Sequence, residues 1–153
     1  MSHVMQQVKV VPMIAPGVIK DDAAYTCAVC DALGWDYATA VFHIGATDIA
    51  VAVMNIQDAD DNSTYGIIDG ANFANTSHLD ITGTALALPD ANADNTIILV
   101  HLDLKKRKRY LQAAVTAGNG SAGTYMSGVF VLSRGEAMPD TAAEAGASIV
   151  VVV

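Results

Sequence analysis

Charged side chains are scarce in this chain. Asp, Glu, Lys and Arg make up 16% of its 153 residues, against roughly 25% in ordinary soluble domains. Hydrophobic residues reach 52%, drawn more from Ala and Val than from Leu or aromatics. So little charge cannot cover a free surface, and much of the surface is expected to meet other protein, as in an oligomer or a lattice. Basic residues are rarer still, eight against sixteen acidic, for a net charge of −8. A general nucleic-acid binder is basic over a whole face, so nucleic acid is not an expected partner.

Cysteine is almost absent. Cys27 and Cys30 form a lone "CAVC". A zinc ribbon needs a second pair, and a redox motif needs a helix N-terminus after a strand. The two are read as small, partly buried thiols. At 153 residues a chain builds a real core without disulfides or metal.

Targeting and catalytic signatures are also missing. "MSHVMQQVKVVPMIAPG" has no basic start followed by a long apolar core, so no signal peptide is expected. "SIVVVV" (148–153) falls far short of the roughly 20 residues of a membrane helix, so no membrane partner is expected. No nucleophile elbow, phosphate loop or dinucleotide fingerprint is present. "GNGSAG" (118–123) joins two strands, whereas a phosphate loop opens a helix, so it is read as a hairpin turn.

His3, His43, His78 and His101 lack metal-ligand spacing. His43 and His101 lie in apolar strands and are read as core or interface imidazoles, each with one hydrogen bond. "DADDNSTYGIID" (58–69) opens like a calcium loop, but Ser63 and Asp69 stand where the Gly and Glu belong, and it is read as a solvated acidic loop. The chain is therefore expected not to be an enzyme and to carry no metal or cofactor.

What is present is strand. "VKVVPMI" (8–14), "YATAVFHIG" (37–45), "TDIAVAVMNIQ" (47–57), "YGIIDGANF" (65–73), "TIILVHLDL" (96–104), "RYLQAAVTA" (109–117), "TYMSGVFVLS" (124–133) and "SIVVVV" (148–153) make about eight strands. The run 47–57 is apolar on both alternating faces, which predicts a strand buried on both sides. Helix signals are thin, a turn or two in 23–34 and in 140–147, the latter with Asp140 or Thr141 capping and Glu144 behind it. This spacing predicts an all-β antiparallel sandwich or barrel, one domain over 1–153. Residues 1–10 and 148–153 are read as arms that add strands to a neighbour.

Five of the eight basic residues stand side by side: Lys105, Lys106, Arg107, Lys108 and Arg109. Flanked by two strands, they read as the corner of a hairpin. Such a corner can be a solvated turn that guards a sheet edge, a local phosphate contact, or a docking patch for an acidic protein surface. Docking is the preferred reading, because the rest of the chain holds three basic and sixteen acidic residues.

The stretches "LGWDYATAVFHIGATD" (33–48), "LDLKKRKRYLQAAVTAGNGSAGTY" (102–125) and "LSRGEAMPDTAAEAGA" (132–147) carry a resemblance. In their order of L-G-W-D-Y, R-Y-L, T-A-G-x-G-x-A-G-T-Y and a Ser-Arg with a Pro-x-T-A-A-E tail, the chain resembles a family of small structural proteins of tailed bacteriophages and prophages. The likeness runs from about residue 8 to 150. Arg109, Tyr110 and Leu111 match the start of a strand, and Gly118, Gly120 and Gly123 match a turn; Gly135 to Met138 is a stretch expected to vary. The resemblance implies a virion protein made in the host cytoplasm, most like a capsid decoration (cement) protein on the head surface. It also implies a jelly-roll β-sandwich, the major capsid protein as partner, and self-association as a homotrimer. The alternative is a receptor- or glycan-binding module of a phage fibre or spike, which would gather aromatic rings at one loop end.

Overall fold

A computed structural model describes residues 4–17 and 19–151. Residues 1–3, 152 and 153 of the expected arms lie outside the described residues. Eight strands form two four-stranded antiparallel sheets: β1 (Val8–Ile14), β2 (Cys30–Asp31), β3 (Trp35–Thr47), β4 (Val53–Ala59), β5 (Gly66–Asn72), β6 (Ile97–Asp103), β7 (Tyr110–Thr116) and β8 (Thr124–Gly135). One sheet is ordered β1-β8-β3-β6 and the other β2-β7-β4-β5. Each early strand pairs with a late one: β1 with β8, β2 with β7, β3 with β6, β4 with β5. The chain is thus a long two-stranded ribbon folded over on itself, and β3–β8 and β4–β7 pairing closes it into a jelly roll. Helix is confined among the described residues to 3-10 turns at Val4–Gln7, Ala91–Ala93 and Leu104–Lys106.

Period-two alternation places the core between the sheets. Ala38, Ala40, Phe42 and Ile44 of β3 point inward with Met126, Phe130 and Leu132 of β8, facing Met54, Ile56, Leu111 and Val115 of the other sheet. Large meets small across the β3–β8 pair, with Phe42 opposite Gly128 and Phe130 opposite Ala40. Gly128 is needed there, since a Cβ would stand 2.4 Å from Met13 Cε and 2.8 Å from the Val41 carbonyl.

This topology corrects both expected hairpins. Only β4 and β5 are successive strands of one sheet. The basic run links β6 in one sheet to β7 in the other, and "GNGSAG" links β7 back to β8, so each is a corner between sheets. Composition marks a turn but does not say whether the chain stays in its sheet.

Three other expectations change. Residues 47–57 are not one strand: β3 ends at Thr47 and β4 begins at Val53. Between them Asp48 accepts from the Ser121 and Ala122 amides at 2.5 and 2.6 Å. Nearby, Gly118 lies so close to the Ala50 carbonyl that a Cβ would be 2.2 Å away. Residues 23–34 hold no helix, because the backbone is tied outward, Tyr25 N–H to Val115 O, Ala28 N–H to Met13 O and Ala32 N–H to Arg109 O. Residues 148–151 form no strand, and 8–10, expected in the first arm, begin β1. The capping at 140–147 is present around a single turn. The Thr141 hydroxyl accepts from Glu144 N–H, while the Glu144 carboxylate accepts from the Asp140 and Thr141 amides.

Candidate docking surface

The basic corner sits where β6 leaves one sheet for the other. Asp103 accepts from Lys105 N–H and opens the 3-10 turn. The backbone then runs extended into β7. The five cations divide into two groups. Arg109 is bound by Asp31, Nε to Oδ1 at 2.9 Å and Nη2 to Oδ2 at 2.7 Å, and lies 4.9 Å over the Tyr110 ring. Hydrogen bonding to Arg109 holds the Asp31 carboxyl below the usual range. Lys108 donates its backbone N–H to Asp58 at 3.2 Å and sets its ammonium 3.7 Å from Asp60. Lys105, Lys106 and Arg107 have no ion-pair partner among the described residues; the two lysines are exposed and Arg107 is half-buried.

The neighbouring β4–β5 loop uses its carboxylates locally. Asp58 is buried under Lys108 N–H, and Asp61 accepts from the Ser63 and Thr64 amides and the Thr64 hydroxyl, which hold its carboxyl well below the usual range. Among the described residues no group of three or more His, Cys, Asp and Glu side chains could hold a metal ion.

Charge is distributed unevenly over the sandwich. Strand register puts Lys9 and Arg134 at the same end as the corner, so seven of the eight basic residues gather there. Lys20 is alone at the other end, beside loops that carry Asp21, Asp22, Asp48, Asp90 and Asp94. Trp35, Tyr37, Tyr65 and Tyr110 also lie at the basic end: Trp35 packs against Gly135, Arg134 stands 5.6 Å over Tyr37 and Arg109 over Tyr110, and the Tyr65 hydroxyl donates to Asn62.

A second feature comes from strand register. On the outer side of the β1-β8-β3-β6 sheet, Pro12, Val129, Val41 and Leu99 stand in one row across all four strands. Val10, Val131, Thr39 and His101 form the next. The solvent side of an antiparallel sheet is usually polar; here six of the eight residues in these two central rows are apolar. His43 and His101 are on this face and exposed, not in the core, and His101 Nδ1 is 2.9 Å from the Thr39 hydroxyl. Beside it, a groove of about 610 Å³ runs between β6 and the 73–88 segment, lined by Phe73, Leu79, Leu86, Ile98 and Val100 among others. Leu79, Ile81, Ile97 and Leu99 are all more than half exposed. His78 anchors that segment to β5, with Nε2 3.0 Å from Asp69 Oδ1.

Cys27 is half-buried and Cys30 buried, both free; burial pushes both thiols up, Cys30 to about 12. Among the described residues no helix is long and apolar enough to cross a membrane.

Sequence reasoning found the basic run but not its division, which depends on Asp31, Asp58 and Asp60 arriving from other strands. It missed the apolar outer face. The signal was available in "YATAVFHIG" and "TIILVHLDL", both apolar at successive positions, but a run of that kind reads equally as a strand covered by its own chain on both sides. Comparison with protein-family models, curated proteins and solved structures finds no match to this chain.

Proposed function

We propose that this protein is a viral structural subunit, a decoration (cement) protein that binds the outside of a phage head and stabilises the shell through protein–protein contacts. The observation that carries the reading is the row Pro12, Val129, Val41 and Leu99 on the outer face of the β1-β8-β3-β6 sheet, with Pro12 and Leu99 exposed and Val41 and Val129 half-buried. Removing such a face from water stabilises an assembly by about 25 cal/mol per Å² of apolar area. Many weak copies on a lattice add up to a firm hold. Lys105, Lys106 and Arg107 supply direction, steering one end of the sandwich toward an acidic surface. The resemblance to phage structural proteins supplies the partner, a major capsid protein.

A glycan-binding module of a fibre or spike is the competing reading. The aromatic rings at the basic end favour it, but Tyr37 and Tyr110 each already carry an arginine of the same chain on one face. Co-sedimentation with undecorated heads of its own phage tests the proposal. Saturable binding that weakens when Leu99 and Val41 are replaced by Ser is expected. A chain that stays in the supernatant at every salt concentration overturns it.

A further inference from the structure

The C-terminal segment leaves the sandwich at the edge opposite the one that could receive it. Val10 N–H donates to Ala145 O at 2.9 Å, and Gly146 packs against the Val10 carbonyl, so the segment is fastened along the outside of β1. Beyond that point Ile149, Val150 and Val151 are 78%, 50% and 76% exposed and make no backbone hydrogen bond to another described residue. The sequence continues with two more valines. An unbroken β-branched run is what a strand buried on both faces requires.

β6 is the far edge of the same sheet, and its second side meets no strand among the described residues. Little along it discourages pairing: from residue 97 to 102 it contains no Pro and no Asp, Glu, Lys or Arg, and only Asp103 at its end is charged. A strand laid there would have apolar surroundings on both faces. One face would extend the row ending in Leu99, and the other would enter the groove lined by Ile98, Val100, Leu79 and Leu86. The described residues include no second segment with the same combination of exposure, β-branching and absent pairing.

The segment cannot reach its own β6. From outside β1 to outside β6 is five strand spacings, about 24 Å at ~4.8 Å each. The seven residues after Gly146, 147–153, span about 24 Å at full extension, which the crossing alone would consume. We infer that residues 148–153 of one copy add as a strand to the β6 edge of a second copy. Donor and acceptor are different surfaces, so the contact is head-to-tail and closes into a ring or grows as a filament. The inference rests on the self-association that the resemblance to phage structural proteins implies and does not depend on what the assembly binds.

Two variants separate the halves of the contact. Deleting 148–153 leaves an acceptor without a donor, and Leu99→Lys leaves a donor with a charged acceptor. Each alone is expected to run as a folded monomer in light scattering, where the full chain forms a larger assembly. Mixed, they should give a 1:1 dimer and nothing larger. Amide exchange along β6 should be at least tenfold slower in the full chain than in the deletion variant, a readout that does not need Leu99→Lys to fold. Assembly of the deletion variant like the full chain, a mixture that stays monomeric, or equal β6 exchange would overturn the inference. A full chain that assembles in this way yet ignores phage heads would overturn the decoration reading alone.

Discussion

Arg109 and Asp31 form a two-bond clamp that ties β7 to the short β2, Nη2 to Oδ2 at 2.7 Å and Nε to Oδ1 at 2.9 Å. One of the five residues in the basic run therefore serves the fold first. Asp31→Asn should leave docking intact while loosening β2. Faster amide exchange at Cys30 and Asp31, with a small drop in melting temperature and unchanged assembly, is the expected pattern. Lost assembly at unchanged β2 exchange would show that Arg109 acts outward.

The division of the cations gives a second test. Replacing Lys105, Lys106 and Arg107 together by Gln should weaken head binding at least tenfold, about 1.4 kcal/mol, and flatten its salt dependence. Replacing Lys108 alone by Gln should change affinity less than threefold, since its ammonium pairs with Asp60 of its own chain. Equal losses from the two substitutions would refute the division.

Stability should fall at both ends of the pH scale. Asp31, Asp48, Asp61, Asp80 and Glu144 all have lowered values, held by Arg109 and by backbone and hydroxyl donors. A depressed carboxyl adds stability that is complete above its unfolded value, 3.8 for Asp and 4.5 for Glu, and is lost as pH drops through the folded value. Cys30 and Tyr25 move the other way, each to about 12 from 9.0 and 10.0, through burial. Their contribution is complete below the unfolded value and declines as pH rises past 9. Calorimetry should show a melting temperature flat between pH 5 and 8 and falling on either side; a profile unchanged from pH 6 to 2.5 would contradict the acid limb.

Phe130 fills the centre of the core, opposite Ala40 and fully buried. Phe130→Ala should cost about 3–5 kcal/mol in denaturant unfolding. A loss below about 1 kcal/mol would mean that the sheets close over the gap more freely than this packing allows.

Seven of the eight strands were legible in the sequence, because alternation is local; the two-residue β2 lay in a stretch read as helical turns, and the run expected as a strand at 148–153 forms none over 148–151. "VKVVPMI" coincides with β1, and the β6, β7 and β8 runs agree to within two residues at each end. What could not be read locally was which strands share a sheet. In a jelly roll nearly every connection changes sheet, so turn chemistry at 105–109 and 118–123 predicted a reversal correctly and its partner wrongly. The same limit hid the clamp, since Asp31 and Arg109 meet only when β2 and β7 pair. The β3–β4 break escaped notice because "TDIAVAV" is an apolar run whose carboxylate is needed 73 positions later, at Ser121.

The pairing of β1 with β8 has a consequence during synthesis. Val8 finds Ser133 only after about 125 further residues have left the ribosome, roughly 6–25 s at the usual pace of translation. Until then Met13 and Ile14, which end up in the core, have only the bridge to the 27–28 stretch and no β8 beside them. The first strand made is among the last to be matched, so nascent chains of this protein are expected to engage chaperones through their N-terminal segment.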